Sequence, residues 1–390
     1  MGYLTDDLSS GRRLKVGMVG GGRGAFFAGY HRAAMRLTNR FDVVAGKFSS
    51  DPDVSQQAGE ALGVAGDRIY PDAAAMAEGE AQRTDGIDVA VVVTPNHLHY
   101  EACRAFVGSG MPVICDKPLV NALAEANALA EMRAGADVFF AVTYTYRGYP
   151  MVRDARERIL AGEIGEIRFI YVEYLLEWGA ADVSKLGAKG GQWRDDPAKA
   201  GPTGSIGDVG IHAFDLMEFV SGRRCVELSA RLSRLQRSRV LDDTGVLQLG
   251  FEGGVEGLLW TSQAAPGHRN GLRFKFVGSA GSLEWSQEAP ETLKLGRLGR
   301  GDIIYRRGQT DMSPTAATSV SLPAGNSEGY LEALAVLYAD FAAALRAGAG
   351  WRREVETPIP DFAAGWRGVA LTEATLASHD SRSWVPFPKA

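Results

Sequence analysis

Several kinds of feature are scarce in this chain of 390 residues. Its only cysteines, Cys103, Cys115 and Cys225, are odd in number, widely spaced and set in or beside apolar segments. That pattern favours neither a disulfide framework nor a zinc site, so we expect no metal. No apolar run approaches the roughly 20 residues of a membrane span, and the first residues lack a signal-peptide core. We therefore expect a cytoplasmic protein with no membrane partner.

The chain also lacks a large excess of charge of one sign. The formal net charge is −5, charged residues make up 23% of the chain and the hydrophobic set 45%, which is typical of a soluble globular protein. The small negative balance argues against a nucleic-acid partner. Because the length exceeds the roughly 250 to 300 residues at which single cores stop growing, we expect two domains.

The first 143 residues alternate short apolar, β-branched segments with Ala-rich helical stretches such as 101–107 and 122–133. Continuous apolar strands between helices predict a parallel sheet covered on both faces. The predicted strands are LKVGMV (14–19), FDVVAG (41–46), DVAVVV (88–93), PVICD (112–116) and VFFAV (138–142).

The second half has longer strand patterns, separated by glycine-containing turns such as FEGGVEG and GSAGS. This indicates a mostly antiparallel sheet. We place the boundary near residues 143–150, which gives domains 1–143 and 144–390. Residues 311–329 have the composition of a loop, and the basic stretch 294–308 is typical of a solvated hairpin. The segments expected to form strands lie within 166–177, 246–260 and 272–285.

Glycines follow the first predicted strand directly. Gly20 and Gly22 have the spacing of a dinucleotide-binding turn between a strand and a helix. A backbone without Cβ atoms can turn tightly and let a pyrophosphate lie against the helix N-terminus, where free N–H groups favour negative charge. A plain tight turn is the alternative. In this α/β context the glycines predict a bound nicotinamide cofactor.

The end of the second strand bears on which cofactor binds. An acidic residue there would bind the adenosine ribose diol, whereas an arginine would attract a 2′-phosphate. Ser49 and Ser50 occupy the expected tip and are neutral on the question. Arg23 is a candidate for contact with the cofactor and could serve a phosphate, as could Lys47, but the Asp51 that follows would oppose it. The sequence therefore favours NAD, with NADP not excluded.

Two further stretches follow predicted strands, at the sheet edge where open α/β sheets bind ligands. Thr94, Pro95 and Asn96 suit a rigid turn beside a nicotinamide ribose. His99 is a weaker cofactor candidate, since it and His97 could be packing residues.

After the fourth strand, Asp116 and Lys117 precede a proline. A lysine at a strand end can donate to a substrate hydroxyl while the aspartate keeps it charged. We take both residues as cofactor-site candidates and Lys117 as a catalytic candidate.

Glycines recur in GPTGSIGDVGIHAFDLMEFVSG, residues 201–222, where the apolar spacing predicts a helix over 211–220 closed by Gly222. If the helix begins by residue 208, Asp208 and His212 share one face. A histidine oriented by a carboxylate is suited to take a hydroxyl proton. The alternative is a helix-capping aspartate and a satisfied core histidine.

The order of VGGG, TPNHLH, CDKPL and GDVGIHAFD resembles the glucose-fructose oxidoreductase, inositol dehydrogenase and MocA family over nearly the whole chain. The resemblance implies a Rossmann domain followed by an α/β domain with a large open sheet that forms homodimers or homotetramers. It implies that Lys117 is the substrate-binding and catalytic lysine, although the family usually has Glu-Lys-Pro. It further implies that His212 is the general acid/base and Asp208 its substrate-binding neighbour.

Four other residues are candidate substrate contacts. Tyr146 and Arg147 follow the fifth strand, and Trp193 and Arg194 precede the glycine loop. An aromatic face and a forked cation suit a polyhydroxylated ring, and surface packing is the alternative.

We therefore expect an α/β oxidoreductase that transfers a hydride between NAD(P) and a hydroxyl of a sugar, sugar derivative or cyclitol. Two other functions stay open. One is an NAD-dependent glycoside hydrolase in which transient oxidation at C3 permits elimination and water addition. The other is a regulator that binds cofactor or sugar without chemistry.

Overall fold

The structure, a computed structural model, describes residues 11–22, 24–134, 138–182, 192–354 and 359–389. The chain divides into two units. The first unit runs to Thr145 and also includes Tyr330–Trp366, and the second contains Tyr146–Gly329 and the chain from Arg367. The expected division at residue 143 assigns 330–366 to the second domain, whereas in the structure this segment packs with the first unit.

A five-stranded parallel sheet forms the centre of the first unit. Its strands are β1 Leu14–Val19, β2 Phe41–Lys47, β3 Val89–Val92, β4 Val113–Cys115 and β5 Phe140–Val142. The spatial order is β2-β1-β3-β4-β5, and every pairing is parallel. Strands β3, β4 and β5 are buried at each residue. Since successive side chains point to opposite faces, both faces of the sheet are covered, as the apolar runs predict.

Helices follow each of the first four strands. They are α1 Phe26–Thr38, α2 Pro52–Ala61, α3 Ala73–Ala81, α4 His99–Gly108 and α5 Leu123–Ala134. Asp51 and Asp72 cap α2 and α3 through their side chains, as short polar residues do at helix starts. The strand–helix alternation therefore places the starts of α1 and α4 just beyond the carboxyl ends of β1 and β3.

The second unit is built on a nine-stranded sheet. Its strands are β6 Ile167–Leu175, β7 Cys225–Ser233, β8 Thr244–Phe251, β9 Val255–Ser262, β10 Gly271–Gly278, β11 Gly281–Ser286, β12 Thr292–Arg297, β13 Ile303–Arg306 and β14 Val385–Pro386. The order is β13-β12-β11-β10-β6-β9-β8-β7-β14. Only β6 and β9 pair in parallel, and the other pairings are antiparallel. The expected mostly antiparallel sheet and the hairpin within 294–308 are confirmed.

The two faces of this sheet differ in exposure. Ile170, Val172 and Tyr174 point to a buried face. On the opposite face Phe169 and Val246 are 39% and 40% exposed. The sheet is therefore open to solvent on one side of the second unit.

The remaining helices are α6 Pro150–Leu160, α7 Pro197–Ala200, α8 Ile211–Ser221, α9 Pro314–Ala317, α10 Tyr330–Ala347, α11 Trp351–Glu354 and α12 Phe362–Ser381. Helices α6 and α8 contact each other, and both contact strands of the nine-stranded sheet. The predicted helix over 211–220 is confirmed, and Gly222 ends it with φ of +67°. Residues 311–329, expected to be a loop, contain α9, whose first residue is a proline.

Helix α10 explains why Tyr330–Trp366 belongs to the first unit. It packs along α1, and Tyr338 and Phe341 are fully buried in the first unit's core. Together with the next three residues this helix is long and apolar enough to cross a membrane, but 56% of its most apolar 18-residue stretch is buried. The sequence expectation of no such run is therefore not met. Because α10 is buried against α1, its apolar composition is that of a core helix.

Candidate active site

The turn between β1 and α1 lies against the ends of two neighbouring strands. The Gly20 and Gly22 N–H groups donate to the Lys47 and Phe48 carbonyls, each at 2.8 Å. A Cβ atom at Gly20 would lie 2.8 Å from the Val93 carbonyl oxygen, and one at Gly22 would lie 2.7 Å from that of Phe48. Gly20 also has φ of +92°. Both positions therefore require glycine, and the turn presents backbone, as a pyrophosphate cradle must.

A helix-capping carboxylate follows the end of β2. Asp51 caps α2 by accepting first-turn N–H groups at 3.0 and 3.2 Å, and its own N–H donates to the Ser49 hydroxyl at 3.2 Å. Ser50 is exposed beside it. A carboxylate in this place opposes a 2′-phosphate, which agrees with the preference for NAD. Arg23 lies outside the described residues.

The end of β3 offers a hydroxyl for a ligand. Within the described part of the chain, the Thr94 hydroxyl oxygen is buried and has no hydrogen-bond partner. Buried polar atoms are nearly always paired, so such an atom calls for a bound group. Pro95 is exposed and precedes the short 3₁₀ turn Asn96–Leu98, in which His97 is exposed. These features fit a nicotinamide cofactor at the edge formed by the ends of β1, β2 and β3.

His99 lies under this turn and not on its surface. It is 1% exposed, and its Nδ1 and Nε2 lie 2.7 Å from the Pro118 carbonyl and 2.9 Å from the Thr94 carbonyl. Burial lowers the pKa of His99, and the neighbouring carbonyls and Asp116 oppose this shift. The ring therefore ties the β3 turn to the segment after β4, and its expected direct contact with cofactor does not fit this burial.

The segment after β4 is organised around Asp116. One carboxylate oxygen accepts the Lys117 N–H at 2.9 Å and the Thr143 hydroxyl at 2.7 Å, and the other lies 3.7 Å from His31 Nε2. Burial would raise the pKa of Asp116, but His31, Lys117 and Thr143 outweigh it and hold that pKa well below its usual range. Lys117, half-buried, thus stands beside a permanent negative charge.

His31 and Tyr338 were not expected from the sequence. His31 Nδ1 lies 2.8 Å from the Tyr338 hydroxyl, and both side chains are buried. His31 falls on the apolar face of α1 with Ala28, Ala34 and Met35. A histidine at apolar helical spacing was a usable signal of a buried partner, whereas Tyr338 is some 300 residues away in sequence.

In the second unit, a buried aspartate fixes the start of the helix that carries the second motif. The Asp242 carboxylate accepts the Gly204 N–H at 2.7 Å and the Ser205 N–H at 3.0 Å. Burial raises the pKa of Asp242, and these backbone donors oppose the shift. The Ser205 hydroxyl donates to the Thr261 hydroxyl of β9 at 2.7 Å. The helix start is therefore anchored to β9 and to the loop before β8.

Asp208 and His212 belong to one continuous helical stretch. A π-helical turn, Ile206–Gly210, runs directly into α8. Asp208 lies in that turn and His212 four residues later, so the condition set for the pair, a helix that begins by residue 208, is met. Asp208 Oδ2 accepts the Gln263 side-chain amide at 2.8 Å, which the sequence did not predict.

Aromatic rings surround His212, which is 5% exposed. The Tyr146 ring lies edge-on to the imidazole with centroids 5.1 Å apart, and the Tyr174 centroid is at 6.4 Å. The two tyrosine hydroxyls are 2.5 Å apart, and Tyr174 donates to Asn270 at 2.7 Å. The structure therefore brings the candidate Tyr146 next to His212.

Arg147 is used inside the second unit, which corrects the expectation that it is a substrate cation. Its Nε and Nη2 donate to the two carboxylate oxygens of Asp215 at 2.8 and 2.5 Å, and its guanidinium lies over the Phe219 ring. Burial raises the pKa of Asp215, and the charge of Arg147 opposes it. The fork that suits a ligand is thus occupied by a buried carboxylate.

Trp193 and Arg194 lie together in a short 3₁₀ turn, Gln192–Asp195. The Arg194 guanidinium carbon is 4.7 Å from the Trp193 ring centre and 6.0 Å from that of Trp178. Both residues are half-buried. The aromatic face and the cation expected from the sequence are therefore paired with each other.

For the described residues, no group of three or more His, Cys, Asp or Glu side chains could hold a metal ion. The three cysteines are buried and unbonded to one another by disulfides. Burial raises the pKa of the Cys115 thiol well above its ordinary value. Such thiols are inert as nucleophiles and ligands.

Residues 14–144 match the family model described as "Oxidoreductase family, NAD-binding Rossmann fold", and residues 152–284 match the "GFO/IDH/MocA C-terminal domain". The chain belongs to the GFO/IDH/MocA family. Its resemblance to that family, argued above from four motifs, is confirmed, and so are the fold class and the NAD-binding domain. The protein is therefore an NAD(P)-dependent oxidoreductase.

Relatives of this GFO/IDH/MocA protein match it over most of their length. The uncharacterized oxidoreductase YfiI of Bacillus subtilis is 33% identical over 96% of this chain and 97% of its own. The levoglucosan dehydrogenase of Pseudarthrobacter phenanthrenivorans is 27% identical over 78% and 80%. The crystal structure of an inositol dehydrogenase homolog from Azotobacter vinelandii, complexed with NADH and myo-inositol, is 32% identical, covers 99% of each chain and superposes with a TM-score of 0.89.

Proposed function

We propose that this enzyme transfers a hydride between NAD and a hydroxyl-bearing carbon of a sugar, sugar derivative or cyclitol. The observation that carries the proposal is the second motif: Asp208 and His212 stand on one helical stretch in a chain that matches the family along both units. Relatives with names such as levoglucosan dehydrogenase support the substrate class.

The proposed cofactor site uses groups of the first unit. Gly20 and Gly22 would hold the pyrophosphate, Ser49 and Ser50 the adenosine ribose, and Thr94 the nicotinamide end, with Pro95, Asn96, Asp116 and Lys117 beside it. Bound NAD supplies the hydride acceptor, C4 of the nicotinamide. The Asp51 carboxylate, which caps α2, would repel a 2′-phosphate and so favours NAD over NADP.

Lys117 is proposed to donate a hydrogen bond to the reacting hydroxyl. An ammonium group in that role stabilises the developing alkoxide. Asp116 supports this role, because its low pKa keeps a carboxylate beside the lysine. The Lys117 N–H bond to Asp116 at 2.9 Å also fixes the backbone that carries the side chain.

His212 is proposed as the base that removes the hydroxyl proton, with Asp208 as its substrate-binding neighbour. Proton transfer by a positioned imidazole contributes about 10²- to 10⁴-fold to a rate. The edge-on Tyr146 ring, 5.1 Å away, limits the orientations open to the imidazole. Tyr146 and Trp193 would then offer ring surfaces to a polyhydroxylated substrate.

A substrate panel tests this function. The purified enzyme is incubated with NAD and myo-inositol, levoglucosan, D-glucose or a nitrophenyl glucoside, while NADH and nitrophenol are recorded together. We expect steady NADH formation without phenol. Phenol release that needs only catalytic NAD would instead establish the glycosidase, and cofactor binding without turnover of any compound would favour the regulator.

A variant pair shows whether any turnover uses the proposed base. His212→Ala should lower the rate of NADH formation by about 10²-fold or more. His379→Ala is the matched control, since His379 is on α12 and its Nδ1 accepts the Leu232 N–H at 3.2 Å. Equal activity of the two variants would contradict the role of His212.

We also propose a cytoplasmic homodimer or homotetramer formed through the open sheet face. Phe169, Val246 and Ile304 point to that face and are 39%, 40% and 49% exposed. Light scattering after size exclusion should give two or four chains per particle, and Val246→Glu should lower that number. A monomeric parent would contradict the proposal.

A further inference from the structure

The Asp208 carboxylate is held by a side chain that the proposed reaction does not use. Gln263 follows the last residue of β9 and is 1% exposed. Its amide nitrogen lies 2.8 Å from Asp208 Oδ2. An amide donor at this distance fixes the direction of a carboxylate without changing the net charge around it.

The backbone of Gln263 is fixed on both sides. Its N–H donates to the Asp243 carbonyl at 2.7 Å, and its carbonyl accepts the Gly179 N–H at 2.8 Å. The neighbouring Thr261 accepts the Ser205 hydroxyl from the start of the Asp208 helix. The amide is therefore presented from a rigid strand end toward a helix anchored to the same strand.

Arg239 determines which way the Gln263 amide faces. Its Nη2 lies 3.0 Å from Gln263 Oε1. A guanidinium can only donate, so the atom that faces it must be the amide oxygen, and the amide nitrogen then faces Asp208. Without Arg239 the amide could turn over and set its oxygen against a carboxylate.

Arg239 is in turn held by two groups. Its Nε donates to Asp195 Oδ1 at 3.0 Å, and the guanidinium carbon lies 5.4 Å from the Trp178 ring centre. Asp195 also accepts the Val240 and Leu241 N–H groups at 2.9 and 3.1 Å. The Arg239 side chain is fully buried, so its charge is balanced by Asp195 and its orientation is set.

We infer that Gln263 and Arg239 are positioning residues for Asp208 in substrate binding. The chain Asp195–Arg239–Gln263–Asp208 transmits one orientation from the 3₁₀ turn before α7 to the helix that carries His212. This inference rests on the proposed function, because it needs Asp208 to contact the substrate.

The test removes the amide and keeps its length. Gln263→Met should raise the KM for the best substrate of the panel about 10-fold, the size of one lost hydrogen bond to a charged group. The change in kcat should be smaller, and NADH affinity, measured by fluorescence titration, should stay within twofold. An unchanged KM with a folded variant would overturn the inference.

The matched control is Gln56→Met. Gln56 also donates its amide to a carboxylate, Glu60 Oε1, at 2.9 Å, but on the exposed side of α2. It should keep the parent's KM. A KM that rises as much as in Gln263→Met would attribute the effect to the substitution type and contradict the inference.

A double-mutant cycle separates this inference from the proposed function. If Gln263 acts through Asp208, then Gln263→Met should change the KM of Asp208→Ala by less than twofold. An Asp208→Ala variant with the parent's KM would refute the proposed role of Asp208. An Asp208→Ala variant that is impaired while Gln263→Met is not would refute the positioning role alone.

Gln263→Glu and Arg239→Lys keep the test informative if Gln263→Met folds poorly. The carboxyl group introduced by Gln263→Glu would face Asp208 on one side and Arg239 on the other. Asp195 is paired with Arg239, and Asp243 accepts the N–H of residue 263 through its backbone carbonyl. Two ionised carboxylates repel, whereas a protonated one still donates, so activity relative to the parent should fall as the pH rises. Arg239→Lys keeps the charge but lacks the fork, and its KM should lie between those of the parent and Gln263→Met. The inference would be overturned if the activity of Gln263→Glu relative to the parent did not change with pH and Arg239→Lys kept the parent's KM.

Discussion

Two carboxylates, one in each unit, are held in different ways. Asp116 accepts the next residue's N–H and the Thr143 hydroxyl, and it faces the ionisable ring of His31. Asp208 accepts a hydrogen bond from the neutral amide of Gln263. The charged residue bonded to that amide, Arg239, is itself paired with Asp195. The first arrangement holds a charge beside Lys117. The second fixes the orientation of the Asp208 carboxylate, on the helix that carries His212.

The difference follows from the local architecture. The carboxyl ends of β4 and β5 are neighbours in a parallel sheet, so Asp116 and Thr143 meet wherever that topology forms. The His31 ring, with Lys117 and Thr143, outweighs burial and lowers the pKa of Asp116. Asp208 lies on a helix, and its carboxylate faces Gln263 at the end of β9. The orientation of that carboxylate depends on Gln263, Arg239 and Asp195, which come from three separate segments.

The largest expected effect comes from removing Lys117, which lies beside the Asp116 carboxylate. Lys117→Ala should lower kcat by about 10²-fold or more, in the range of general acid/base effects, because it removes the proposed donor to the reacting hydroxyl. NADH affinity should survive. Steady-state kinetics and fluorescence titration check both parts.

Lys15→Ala is the control for Lys117. Lys15 lies on β1 and donates to the Asp85 carbonyl at 2.8 Å, so its loss removes a lysine from the same sheet without touching the proposed machinery. Activity of Lys117→Ala within a few-fold of that control would remove Lys117 from the mechanism.

The comparison also shows what a sequence can predict. The strand bounds of the first unit, the glycine turn, Lys117 and the Asp208–His212 spacing are all local patterns, and β1 begins and ends where predicted. Gln263 and Arg239 lie 55 and 31 residues from Asp208 along the sequence printed above, and no local pattern links them. The pairing of Arg147 with Asp215 was not predicted for the same reason, since the two residues are 68 apart in sequence.

The placement of α10 shows the same limit on the scale of an element. Its apolar composition indicates burial but not the surface that buries it. Contacts with α1 place it in the first unit, although Tyr146–Gly329 of the second unit lies between them in the chain. Long-range packing of this kind decides unit membership, and the linear order of elements does not.

A second prediction concerns the ring that supports Asp116. His31→Phe should lower kcat about 10-fold, since it removes the imidazole from Asp116 and leaves the carboxylate less well oriented toward Lys117. Tyr338→Phe removes only the hydroxyl 2.8 Å from His31 and should lower kcat less than threefold. Equal kinetics for His31→Phe and the parent would show that the lysine is positioned without this network.

A third prediction uses the pKa of Asp116. Because folding holds that pKa below its unfolded value of about 3.9, the ionised carboxylate stabilises the fold at higher pH, and this contribution is lost as the pH falls through the folded pKa. The melting temperature of Asp116→Asn should therefore lie below the parent's by a constant gap between roughly pH 5 and 8. The gap should narrow below about pH 4. A gap that widens on acidification would contradict the assignment.

The smallest expected effect concerns the choice of cofactor. NADH should bind several-fold more tightly than NADPH, because the Asp51 carboxylate caps α2 just after β2. The preference should be unchanged in Gln263→Met, since cofactor selection belongs to the first unit. Tighter binding of NADPH in a fluorescence titration would reverse the interpretation of Ser49 and Ser50.

The most direct test of the central claim follows the hydride itself. The panel compound with the highest turnover is prepared with deuterium on its hydroxyl-bearing carbons, and the NADH that forms is analysed by mass spectrometry. The proposed function predicts one deuterium in each NADH produced by the parent and a strongly reduced yield with His212→Ala. Unlabelled NADH, or no NADH from any member of the panel, would contradict it.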